Sequence, residues 1–75
     1  MNFEQLRVFF IELKGEGFEE EIPRQVLAMK IADKLNYGDK SSVERAISSM
    51  KYLGFITDAG TGICKITCKK LITNG

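Results

Sequence analysis

The sequence predicts a mainly α-helical fold that closes with a small β-hairpin. Three stretches between residues 3 and 53 repeat their apolar residues at helical spacing. After Gly54 the pattern changes to alternation, the period of a strand. The chain has 75 residues, 44% of them hydrophobic and 28% charged, which fits one small globular domain over residues 1–75.

The first helix is expected over residues 3–14. Phe3, Leu6, Phe10 and Leu13 recur on one helical face, Phe9 widens it, and Gly15 and Gly17 end the element. Val8 and Ile11 fall on a different side, which a surface helix ordinarily keeps polar. Two readings account for them. They form a subunit interface, or they lie under the hairpin or under Leu71 and Ile72 of the tail.

A short strand at Ile22 leads to a second helix, expected over residues 23–36. Pro23 suits its first turn, where a missing N–H breaks no intrahelical bond. Leu27, Ile31 and Leu35 form its apolar stripe with Ala28 and Ala32, and Asn36 and Gly38 supply the stop and turn. The third helix is expected over residues 41–53. Ser41-Ser42-Val43-Glu44 reads as a capping box, in which Glu44 reaches back to the cap. Val43, Ala46, Ile47, Met50 and Leu53 line its inner face, and Gly54 is the left-handed residue past its end. A hairpin is expected over residues 55–69, with strands at 55–57 and 63–69 around the turn Asp58-Ala59-Gly60-Thr61-Gly62. Cys64, Ile66 and Cys68 share one face of its second strand, and Lys65 and Lys69 share the other.

Composition excludes several functions. There is no histidine, so the commonest general base and metal ligand is missing. No nucleophile–base constellation and no phosphate-cradling glycine loop stands out. The chain is therefore not read as an enzyme, and no cofactor, metal or small-molecule substrate is expected. Cys64 and Cys68, four residues apart on a strand, sit about 13 Å apart at roughly 3.3 Å per residue, too far for a mutual disulfide. They read as small buried hydrophobes in a reducing cell. The longest apolar run, Val8-Phe9-Phe10-Ile11, is far below the roughly 18 residues of a membrane span. Glu4, Arg7 and Glu12 interrupt the first apolar stretch, unlike a secretory leader. A cytoplasmic location is expected, in the host cytoplasm if the source is viral.

The net charge of +1 hides an asymmetry. Residues 1–21 carry six glutamates against Arg7 and Lys14, a net −4, and the remainder carries a net +5. The basic part points to an anionic partner.

A helix, two further helices joined by a short polar turn, and a hairpin resemble the winged helix-turn-helix family. The resemblance covers about residues 22–69. It rests on Ile31-Ala32 and Leu35, on the turn at 36–40, on the ladder Val43, Ile47, Met50 and Leu53, on Gly54-Phe55-Ile56, and on Lys65-Ile66-Thr67 as the far strand of the wing. It implies a double-stranded DNA-binding transcriptional regulator of prokaryotic or viral type, with the third helix as recognition helix. With Val43, Ile47 and Met50 inside, Ser41, Arg45, Ser48 and Tyr52 point out, with Ser42 and Ser49 at the edges. Arg45 is suited to guanine O6 and N7. Lys40 beside the helix N-terminus, with Tyr52, Lys65 and Lys69, is suited to backbone phosphates. Lys30, Lys34, Lys51 and Lys70 are further phosphate candidates. A homodimer through Val8 and Ile11 would read a palindromic site. The wing tip, Ala59-Gly60-Thr61-Gly62, carries no cation. That feature and the near-neutral net charge suit the alternative, a winged-helix protein–protein interaction module in a larger assembly.

Overall fold

A computed structural model describes residues 2–68. The element order is α1 (Phe3–Gly15), β1 (Glu21–Pro23), α2 (Arg24–Lys34), α3 (Lys40–Tyr52), β2 (Ile56–Asp58) and β3 (Ile63–Ile66). The fold is mainly helical with a small three-stranded antiparallel sheet, ordered β1-β3-β2. Ile22 pairs with Cys64 on one side of β3, and Ile56 pairs with Ile66 on the other. The strand expected at Ile22 is thus the third member of the sheet. Lys69, Lys70, Leu71 and Ile72 lie outside the described residues.

α1 begins on a capping box that the sequence reading missed. The Asn2 side chain accepts from the Gln5 amide at 2.8 Å, and the Gln5 side chain accepts from the Asn2 amide at 3.1 Å. Both α1 and α3 end in the same way. Gly17 and Gly54 take left-handed φ values of 102° and 84°, and the following Phe18 and Phe55 amides donate back to Leu13 and Met50, each at 2.9 Å. This satisfies the orphaned carbonyls and folds each phenylalanine back toward its helix. Asn36, at φ 58°, performs the left-handed turn after α2.

The core gathers Leu6, Phe9, Phe10 and Leu13 of α1, Leu27 and Ile31 of α2, and Val43, Ala46, Ile47 and Met50 of α3. Ile22, Phe55, Ile56, Cys64, Ile66 and Cys68 close it from the sheet side. Phe10 stacks on Phe55 at 5.3 Å, and Phe3 meets the Phe55 edge at 5.3 Å while staying half exposed.

Five expectations need correction. The strands expected at 55–57 and 63–69 run over Ile56–Asp58 and Ile63–Ile66, so Thr67 and Cys68 lie past the end of β3. α2 begins at Arg24 rather than in a first turn at Pro23, which closes β1 and precedes the helix with an extended ψ of 137°. Ala32 is exposed, so close approach of α2 to the core falls to Ala28. Leu53 is 44% exposed, because it is the C-cap of α3 and lies past its last helical residue, Tyr52. The capping box at Ser41–Glu44 does not form. Asp39 caps α3 instead, accepting from the Ser42 amide at 3.0 Å and the Ser42 hydroxyl at 2.8 Å. Glu44 then lies in the second turn and turns toward α2.

Candidate functional site

The outward face of α3 follows from its inward one. With Val43, Ala46, Ile47 and Met50 buried, Ser41, Arg45, Ser48 and Tyr52 stand opposite and exposed, Tyr52 at 90%. Ser49 is exposed and Ser42 half-buried along one edge. The other edge carries Glu44 and Lys51, and both are tied down. The Arg24 guanidinium forks onto the Glu44 carboxylate at 2.6 and 3.3 Å, and Lys51 Nζ donates to Asp58 at 3.0 Å. One bond fastens α3 to α2 and the other to β2.

These bonds shape the titration of the groups that make them. The hydrogen bonds from Arg24 hold the Glu44 carboxyl below its ordinary range, and the Arg24 guanidinium is raised in return. The Ser42 hydroxyl and amide hold Asp39 low. Hydrogen bonds from Lys30 and Lys34 lower Glu16, and Glu16 raises Lys34.

The charge asymmetry of the sequence is partly spent within the fold. Lys30 and Lys34 of α2 meet Glu16 at 2.6 and 2.8 Å, and Lys14 meets Glu19 at 3.9 Å. Arg7 pairs with Glu4 at 3.2 Å. Lys30, Lys34 and Lys51, candidates for phosphate contacts, are therefore engaged with carboxylates. Among the described residues, Lys40, Arg45 and Lys65 are the cations with no carboxylate oxygen within ion-pair distance. Lys40 opens α3, and Arg45 lies in the middle of its outward row. Lys65 sits on the central strand, exposed, with Glu21 and Thr57 as its cross-strand partners. Lys69, the other expected wing contact, falls outside the described residues.

Val8 and Ile11 are 45% and 40% exposed. At about 100° per residue they point away from the buried face of α1, and no described residue covers them fully. Cys64 and Cys68 are buried and unbridged. Burial raises both thiols, that of Cys68 to about 11, which suppresses thiolate chemistry. Among the described residues no group of three or more His, Cys, Asp or Glu is placed to hold a metal ion, and no helix is long and apolar enough to cross a membrane.

The sequence reading missed Arg24, Tyr37 and Asp39. Asp39 carried a signal, since an aspartate three residues before Ser42 is a cap pattern. Arg24 and Tyr37 carried none, because their partners lie on other elements. No family model, curated protein or solved structure matches the chain.

Proposed function

We propose that the chain is a winged-helix protein that binds double-stranded DNA, with α3 in the major groove, and regulates transcription. The observation that carries this reading is the placement of the cations that make no ion pair. Of the three described cations without a carboxylate partner, Arg45 lies in the middle of the exposed row of α3, and Lys40 opens the helix on the side of the α2–α3 groove. Beside them are serines short enough to let the helix approach base edges. In this reading Arg45 reads guanine, Ser41, Ser42, Ser48 and Ser49 bond bases or sugar–phosphate, and Lys40, Tyr52, Lys65 and Lys69 hold phosphates. Arg24 and Lys51 keep the face oriented. Val8 and Ile11 join two protomers, so that two recognition helices reach half-sites about 34–36 Å apart.

The second reading is a winged-helix protein–protein module. It draws on the open groove between α2 and α3, whose walls include Ala28, Ala32, Val43 and the exposed Met29, and on the uncharged hairpin tip.

Fluorescence anisotropy with a labelled mixed-sequence duplex, titrated across a salt series, separates the two. The DNA reading expects binding that weakens with salt, at a log–log slope of about −2 to −3 per protomer for two or three phosphate contacts. Folded protein that leaves the duplex free at low salt supports the interaction module.

A further inference from the structure

A recess of about 290 Å³ opens between the α2–α3 turn and α3, lined by Tyr37, Ser42, Arg45, Ala46 and Ser49. Its shape originates at Asn36, whose left-handed backbone turns the chain so that the Tyr37 ring packs half-buried against the core. The ring is thereby held in place, yet its hydroxyl has no hydrogen-bond partner among the described residues. The Ser49 hydroxyl and the Arg45 guanidinium are likewise without a described protein acceptor. Ser42 Oγ is occupied by Asp39, and the two oxygens of that carboxylate both accept from Ser42. The Asp39 carboxylate lies beside the recess, bonded to Ser42 and within electrostatic reach of Arg45, so the donors that face the space unengaged are those of Tyr37 and Ser49, and the small Ala46 leaves it open. Donors without acceptors around such a space match an oxyanion.

We infer that this recess seats one backbone phosphate of the bound duplex, with Tyr37 Oη and Ser49 Oγ donating to its oxygens. The inference rests on the DNA reading above and adds a contact from outside the recognition helix. Tyr37 belongs to the turn, so the phosphate it holds fixes the register of α3 along the groove. Arg45, at the rim of the recess, is left free to meet a base edge. A phosphate contact positions and carries no sequence information, so Tyr37 and Arg45 have separable effects.

The test is anisotropy on the full chain with wild type, Tyr37→Phe and Ser49→Ala. The probes are a duplex selected from a random pool for tight binding and the same duplex carrying single neutral methylphosphonate linkages in turn. Tyr37→Phe is expected to weaken binding to every unmodified duplex about tenfold, the scale of one hydrogen bond to a charged group. Its penalty disappears on the one duplex whose methylphosphonate replaces the seated phosphate. Ser49→Ala, at an exposed position that leaves the core intact, shows its penalty lost on the same linkage. Tyr37→Phe and Ser49→Ala that both bind like wild type, while wild type binds with a salt-dependent slope, overturn the phosphate seat and leave the DNA reading standing. Inorganic phosphate that binds wild type beyond chloride at equal ionic strength and loses that binding in Tyr37→Phe, with no penalty for Tyr37→Phe on any duplex, assigns the recess to a free oxyanion and also overturns the seat. Wild type that fails to bind DNA at low salt ends both readings.

Discussion

Arg24, the first residue of α2, grips Glu44 in the second turn of α3 with a two-pronged bond of 2.6 and 3.3 Å. The Arg24 amide also donates to the Gly62 carbonyl at 2.8 Å. A single residue thus joins two helices and the hairpin turn. Four buried side chains fix how α3 faces the core, and the fork to Glu44 resists its rotation from the edge. The face that α3 shows to solvent is set by both.

The acid limb of stability follows from the carboxylates that the fold engages. Glu16, Asp39 and Glu44 are all held below their ordinary values of 4.5, 3.8 and 4.5. A carboxylate depressed in the folded state contributes stability that is fully present above its unfolded value and is lost as pH falls through the folded one. The melting temperature is therefore expected to hold from neutral pH to about 5 and to fall below about 4.5. Glu44→Gln and Asp39→Asn each flatten that fall, which thermal melts across pH 2–7 check. Equal acid slopes in wild type and both variants would show that these bonds do not persist in solution.

Ile47 is buried in the core at 1% exposure, whereas Leu53 is 44% exposed. Ile47→Ala is expected to cost about 2–5 kcal/mol, as for other large-to-small core changes. That is a large share of the roughly 5–15 kcal/mol that holds a small domain together. Leu53→Ala is expected to stay within about 1 kcal/mol of wild type. Denaturant titration ranks the two, and a reversed order contradicts the placement of the α3 core face.

Arg45 is exposed and makes no ion pair among the described residues. Arg45→Ala is expected to leave the melting temperature unchanged and to erase about 1–3 kcal/mol of discrimination at the bases it reads. Competition between a duplex selected from a random pool and its scrambled version measures this. An unchanged ratio would remove α3 from the groove.

Self-association is expected through Val8 and Ile11. An isologous two-fold contact covers both copies of the patch at once, and it leaves each α3 free. Sedimentation equilibrium should give about twice the 8.4 kDa chain mass at micromolar concentration. The double variant Val8→Glu/Ile11→Lys should sediment as a monomer. Wild type that stays monomeric to about 100 μM sinks the dimer and the palindromic site with it.

Local pattern located the three helices, the hairpin and most of the inward faces, although Ala32 and Leu53, expected inside, are exposed. Apolar spacing alone placed Leu6, Phe10 and Leu13, Leu27 and Ile31, and Val43, Ile47 and Met50 in the core, because helical period is a local property. Alternation alone put Cys64, Ile66 and Cys68 on one face of the hairpin, and Gly54 marked the end of α3 because a left-handed turn favours glycine. The outward row of α3 was legible for the same reason, as the complement of its buried row. Local pattern failed where two patterns competed. Ser41-Ser42-Val43-Glu44 matched a capping box, but Asp39 lay two residues upstream of Ser41 with a stronger acceptor, and only packing could show Glu44 turned toward Arg24. Tertiary structure alone decided which charges remain available. Lys30 and Lys34 are equivalent to Lys40 in sequence, yet α2 packs beside the end of α1, where Glu16 takes up both. Ion pairs and recesses depend on residues brought together from distant parts of the chain, as Arg24 meets Glu44 across twenty positions, and no local spacing encodes that meeting.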